Sequence, residues 1–433
     1  MVNLARALLF SEILLSSIYI ISFKVNFVRV IAASILILVF VLGVGNKKLK
    51  PSTRSLIIWA LTFVFFKYIV DSVFHSVDPF DALIQLIKEM VIILLLPAFE
   101  RIGSANIKPV KMIVIAGIPA CLLGLLQIYS PIFTIDELIP PNSIFLTEGI
   151  TASYIRAENR IVGPYTLAIG FALFLGFLFM QLLAYGFNKN NKVKFILTIG
   201  YSLIVIALVI ATQTRSAIYG LPLAAMFSFL ICDIKNFKKW TVGLMLGALV
   251  LTSYAFYESF VVKYSDRSSL EIDANTYYKI TANIYGTFAA LNKNYLIGVP
   301  RFNRDDPASY GRYKELIREG KRKLGSIVDN KQQYNLMATN HNMFAFYLRH
   351  YGVLGFVLLI VVLWKIYKKI SVKCEVTDKF MLYGIGIYFL QYVLFHNPQL
   401  FEELLIWVLL ANGVEKTDDS KNTTNQRADV CLQ

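Results

Sequence analysis

Most of this chain consists of apolar runs of bilayer length, and that restricts the folds open to it. Many runs reach about 17–25 residues, the length of helix that crosses membrane hydrocarbon. In that medium backbone N–H and C=O groups must find partners within the protein, so spanning segments are packed helices or closed barrels. A barrel would show short segments of alternating polarity, and these runs are apolar on every side. Of 433 residues, 56% are hydrophobic and 16% charged, against about a quarter charged in a soluble domain. The expected fold class is therefore all-α, a polytopic transmembrane helical bundle.

Twelve spans are expected near 4–22, 28–45, 55–73, 82–99, 110–130, 163–187, 195–211, 217–232, 240–257, 342–364, 380–396 and 399–414. The fourth holds Lys88 and Glu89 mid-run; adjacent residues do not share a helix face, and either can point into the bundle. The chain divides into spans one to nine (1–258), a large polar loop (259–341), spans ten to twelve (342–414) and a polar tail (415–433) expected to be disordered.

A net charge of +15 would suggest nucleic acid in a soluble protein. Here most of the charge sits in short connections, where lysine and arginine report topology. Connections 46–54, 100–111, 188–194, 233–239 and 365–373 carry 17 Lys/Arg; the alternate set 23–29, 74–82, 131–162, 212–216 and 396–403 carries 5. The positive-inside rule puts the first set and both termini in the cytoplasm and the 259–341 loop outside, with 131–162 beside it. None of Cys121, Cys232, Cys374 and Cys431 falls in the large loop, and no CxxC occurs, so no disulfide framework is indicated. The first apolar run lacks a small-residue cleavage site and reads as a retained span.

The large loop carries 13 Lys/Arg. Within it, 276–292 has helical apolar spacing. Asp306-Pro307 reads as a helix start, leading into a basic helix with Arg312, Lys314, Arg318, Lys321, Arg322 and Lys323. Such helices lie on a membrane surface or cover a cavity.

Four short pieces fall on the outer side of this map. They are Glu158-Asn159-Arg160-Ile161-Val162-Gly163-Pro164-Tyr165, Thr212-Gln213-Thr214-Arg215-Ser216-Ala217, Asn294-Tyr295-Leu296-Ile297-Gly298-Val299-Pro300-Arg301-Phe302, and Asn340-His341-Asn342 with Gly352 and Gly355 beyond it. Over about residues 155–365 this set resembles the O-antigen ligase and polymerase family of bacterial surface-polysaccharide enzymes. The family pattern has Arg-x-x-Gly before one span and Ser/Thr-Arg-Ser/Gly between two later ones. It then has a hydrophobic-Gly-hydrophobic-Gly stretch in a long loop that His-Asn closes. The second loop glycine is replaced here by Pro300.

The resemblance implies a GT-C-like membrane enzyme in the bacterial inner membrane, with the large loop periplasmic. It implies transfer of a glycan from an undecaprenyl diphosphate carrier to an acceptor hydroxyl. That reaction needs a proton acceptor, for which histidine is suited near neutral pH. It needs cations for the leaving diphosphate, which arginine's fork matches, and a sugar-holding surface. His341, Arg215 and Arg160 are the candidate catalytic residues; Asn342, Arg349, Arg267 and Lys279 are candidates for substrate binding. Tyr277, Tyr278, Tyr310, Tyr313 and Tyr334 are candidates to hold sugar. Each has a simpler role beside it: His341 can cap the following helix, Arg215 can snorkel to headgroups, and Arg349 can pair within the bundle. His75 reads as a solvated loop residue. No Asp-x-Asp occurs in an outer loop, so transfer without metal or cofactor is expected, in keeping with the family.

The first reading of function is a polysaccharide polymerase that moves a growing chain onto the next lipid-linked repeat unit. Its partners would be the lipid-linked oligosaccharide, a glycan or lipid acceptor, membrane lipids and a chain-length regulator. A ligase with a lipid A-core or protein acceptor is the runner-up. A flippase of lipid-linked sugar is the third reading, against which the lopsided placement of polar mass argues.

Overall fold

The computed structural model describes residues 1–15, 18–20, 25–43, 49–130, 145–147, 160–165, 167–187, 192–232, 274–300, 342–373, 375–395, 400–413 and 415, with 311, 312, 315, 318, 319 and 322 singly. The ninth expected span and most of the large loop lie outside them. The described chain is a helical bundle. Five helical stretches are long and apolar enough to cross a bilayer: Pro51–Phe74, Pro79–Ile102, Ser104–Tyr129, Ala168–Gly186 and Met343–Ser371.

The first half is built from α1 (Val2–Leu15), α2 (Phe27–Leu36), α3 (Pro51–Ile69), α4 (Pro79–Ile102), α5 (Ser104–Ile107) and α6 (Pro109–Tyr129). Prolines begin α3, α4 and α6 at the position where the missing N–H costs nothing. Asp78 caps α4 by accepting from the backbone N–H of Phe80 at 2.7 Å. The second half comprises α7 (Ala168–Phe187), α8 (Lys192–Ala211), α9 (Arg215–Ile231), α10 (Ala274–Lys293), α11 (Met343–Ser371), α12 (Val376–Phe395) and α13 (Leu404–Leu409). Helix α7 is central, with 83% of its apolar window buried against 39% for Pro51–Phe74. Small residues let its neighbours approach, as they do between membrane helices generally. A Cβ on Gly176 of α7 would sit 2.1 Å from the Tyr388 ring of α12, and one on Gly220 of α9 would sit 1.8 Å from Gln391.

The structure departs from the expected spans at both termini of the bundle. The first span does not run to residue 22: α1 stops at Leu15, and β1 (Ile18–Ile20) pairs antiparallel with β2 (Val25–Asn26) and with β3 (Phe145–Thr147). This small patch ties the first turn to the 131–162 connection and leaves the bundle helical. The twelfth span is not one helix either. Among its described residues only the six of α13 are α-helical, about 9 Å of rise. Its unwound approach is held inside the protein: the Leu400 carbonyl accepts from Trp407 Nε1 (2.9 Å) and the Glu402 carbonyl from Arg29 Nη2 (3.1 Å). Broken backbone at membrane depth is tolerated only where protein or water satisfies it in this way.

The two ends of the bundle differ. At one, Arg6 donates to the carbonyl of Asn106 (2.7 Å), and Lys369 donates to Thr53, Glu100 and Glu415. Of these, Thr53, Glu100, Asn106 and Lys369 belong to the connections rich in lysine and arginine. Glu415, the first residue of the expected disordered tail, is packed here; 416–433 lie outside the described residues. The opposite end carries the described parts of the four sequence pieces.

Candidate functional site

Residues 160–163 and the 212–216 turn are separated by a helical hairpin and brought together by it. Arg160 Nε donates to the Thr212 carbonyl at 2.8 Å, and its Nη2 donates to Thr214 Oγ1 at 3.2 Å. The Ile161 N–H reaches the Ala211 carbonyl at 3.5 Å. Thr214 is the N-cap residue of α9, which begins at Arg215. The positive end of that helix thus lies beside a half-buried arginine, an arrangement that suits an anion. The Arg215 side chain is outside the described residues.

Gln127, which the motif reading passed over, holds this turn in shape. Its Oε1 accepts from the backbone N–H of Val162 (3.0 Å) and of Gly163 (2.8 Å), and its Nε2 donates to the Gly163 carbonyl (3.0 Å). Gly163 has φ +55°, and a Cβ there would meet the Phe171 ring at 2.6 Å, so the glycine of Arg-x-x-Gly is required by both backbone and packing. The signal in the sequence was a lone glutamine in an otherwise apolar span.

The third and fourth pieces also meet. Helix α11 breaks at Gly352 (φ 60°, ψ −162°), and the 295–299 segment docks on the break. Val299 N–H donates to the Arg349 carbonyl (2.9 Å), and Val353 N–H to the Tyr295 carbonyl (3.0 Å). A Cβ on Gly298 would lie 2.3 Å from the Arg349 oxygen, and one on Gly352 2.3 Å from the Leu296 backbone. Pro300 follows this contact and leaves it intact. The break folds the first arm of α11 back. Phe344 and Phe356 lie with ring centroids 6.3 Å apart, although twelve residues of straight helix would separate them by about 18 Å.

The candidate residues therefore fall in different situations. Asn342 caps the arm through Oδ1, which accepts from Ala345 N–H at 3.0 Å, while its Nδ2 donates to the Leu394 carbonyl of α12 at 3.1 Å. Arg349 is fully buried and donates to the Asn283 carbonyl of α10 at 3.4 Å, so it ties the loop helix to the bundle. Helix α10 matches the helix expected over 276–292 and carries Lys279, Tyr277 and Tyr278, whose side chains are not among the described ones. His341, Arg267, Tyr310, Tyr313 and Tyr334 lie outside the described residues.

What joins the two pairs is the last turn of α12. Leu394 receives Asn342, Tyr392 donates to the Ile169 carbonyl and lies within coulombic reach of Arg160, and Gln391 packs on Gly220. All described parts of the four pieces thus gather at one end of the bundle.

Beneath them lies a buried ionic network absent from the motif reading. Lys67 pairs with Glu89; Gln85 donates to Glu89 (3.1 Å) and to Glu402 (2.8 Å); Tyr351 donates to Asp71 (3.0 Å). Of the mid-run pair, Glu89 faces inward and Lys88 outward. His75 is not a solvated loop residue: it is buried, its Nδ1 3.5 Å from Asp71. No protein-family model matches the chain, and no curated protein matches it.

Proposed function

We propose that the chain is a multi-pass inner-membrane glycosyltransferase that extends a surface polysaccharide. In this reading the end bearing the four pieces faces the periplasm, in keeping with the 17 against 5 Lys/Arg of the alternate connections. The observation that carries the reading is the gathering of Arg160, the start of α9 at Arg215, and Asn342 around the last turn of α12. A diphosphate needs cations and oriented N–H groups where its charge develops, and an acceptor hydroxyl needs a base within hydrogen-bond reach.

In the reaction the anomeric C1–O bond to the carrier diphosphate breaks and a C1–O bond to the acceptor hydroxyl forms. The hydroxyl proton passes to His341, and undecaprenyl diphosphate leaves with its charge held by Arg160 and Arg215. Asn342 fixes the start of the arm that His341 precedes. The transfer requires no metal in this scheme.

The test is a gene deletion with complementation. Loss of the protein should leave surface glycan of a single repeat, and Arg160→Ala, Arg215→Ala and His341→Ala should insert normally yet fail to restore length. Full-length chains stranded on the carrier would mean a ligase, and absence of outward lipid-linked repeats a flippase; either outcome overturns the polymerase.

A further inference from the structure

The network beneath the site has a feature that stability alone does not call for. Lys67 and Glu89 are 3% and 1% exposed, and replacing such a buried pair by apolar residues is often neutral or stabilising. What the pair does supply is a fixed cation. Three rings surround the Lys67 ammonium, those of Tyr347 (5.6 Å), Tyr351 (5.7 Å) and Phe401 (5.9 Å). A cation held over aromatic faces out of water is attracted to each of them. Two of the rings belong to the folded-back arm 343–351 of α11, and the third to the unwound approach to α13.

The arm has an awkward geometry to maintain. Its break at Gly352 gives up helical continuity, and its polar start at Asn342 has to sit beside Leu394 rather than drift toward the loop. Tyr347 lies across Phe63 of α3 at 5.2 Å, edge to face, and Tyr351 donates to Asp71, about two turns further along the same stretch. Lys67 stands between those two contacts. Glu89 of α4 pairs with the same ammonium.

We propose that Lys67 is a positioning residue: caged by the rings and anchored by Glu89, it locks the arm 343–351 in its folded-back place and so sets Asn342 against the last turn of α12. Its link to catalysis rests on the function proposed above; the arm geometry does not.

The experiment is a pulsed electron-spin distance between labels at Ala345→Cys and Ser371→Cys, in full-length protein with the native cysteines replaced. The folded-back arm puts these backbones about 24 Å apart and a straight helix about 39 Å apart. The parent should give one narrow short distance. Lys67→Met should broaden and lengthen it, and Lys67→Arg, which keeps a cation over the rings, should restore it. Should Lys67→Met fold poorly, Lys67→Met/Glu89→Leu removes the unpaired charge, and it too should show the long distribution in a monodisperse protein. Glycan transfer should drop at least tenfold wherever the short distance is lost and return with Lys67→Arg. A narrow short distance in the charge-free double variant overturns the proposal, as does full transfer by a protein whose arm has moved. If the parent itself transfers no glycan, the function falls, and the distances still decide the role of Lys67.

Discussion

Gln127 and Gly163 show how much of the site rests on single side chains that carry no chemistry. Gln127→Leu strands two backbone N–H groups in the bundle, each costing about 1–3 kcal/mol when left without a partner. Gly163→Ala places a methyl into the Phe171 ring at an unfavourable φ, a strain of about 1–3 kcal/mol. Both variants should unfold several degrees lower when heated in detergent and followed by size-exclusion chromatography. Both should also lose transfer activity, because Arg160 is the first residue of the turn they hold. Arg160 and Arg215 were legible in the sequence because their motifs are local. Gln127 was not: its partners are 35 and 36 residues away, and no local pattern marks a hydrogen bond of that span. His75 was misread for the same reason: it is buried with its ring 6.5 Å from that of Tyr351, which lies on a distant helix.

Helix α11 carries the lesson at the scale of an element. The glycines at 352 and 355 were visible as spacing, yet nothing in the sequence says that the helix reverses there. The reversal needs the 295–299 segment to dock backbone to backbone, which Gly298 and Gly352 allow by having no Cβ. Gly352→Ala would put a methyl 2.3 Å from the Leu296 carbonyl at positive φ. The expected cost exceeds the roughly 1–3 kcal/mol of backbone strain alone, because docking fails as well. The measurable outcome is release of the large loop: limited proteolysis between 301 and 340 should run several-fold faster than in the parent, with insertion unchanged. The twelfth crossing shows the opposite error. A hydropathy window averages over Glu402 and Glu403 and reports a span, while among the described residues only Leu404–Leu409 is helical and the Glu402 carbonyl before it is held by Arg29.

The whole bundle is closed at the end opposite the site by a latch of charges. Glu415 is held by Lys369 at 2.7 Å, Lys373 at 3.2 Å and Ser52 at 2.5 Å, which joins the chain after α13 to α3, α4 and the end of α11. Burial pushes the Glu415 carboxyl up, but the two ammoniums and the hydrogen bonds outweigh it and hold the group at about 2. A folded-state value below the ordinary 4.5 means the latch contributes fully above that pH and is lost as pH falls toward 2. Lys373 runs the other way: burial and then the Lys369 charge lower it to about 8 from 10.5. The folded state sheds that proton first, so stability should rise between pH 8 and 10.5. Glu415→Ala should destabilise by about 3–5 kcal/mol by leaving the buried Lys373 ammonium without its carboxylate, a deficit that shrinks below pH 4. Lys373→Met should flatten the alkaline rise. Thermal unfolding of the three proteins across pH checks both.

The sequence by itself determined the medium, the helical class, the alternation of basic and non-basic connections, and the candidate pieces of a site. All of these are written in composition and local order, which a bilayer reads directly. Only the tertiary structure decided which pieces meet, that α11 folds back, that the last crossing is broken, and that Lys67 finds its rings. Those outcomes depend on contacts between residues tens to hundreds of positions apart, where the cost of burying a charge or a bare N–H is settled by neighbours that no local window contains.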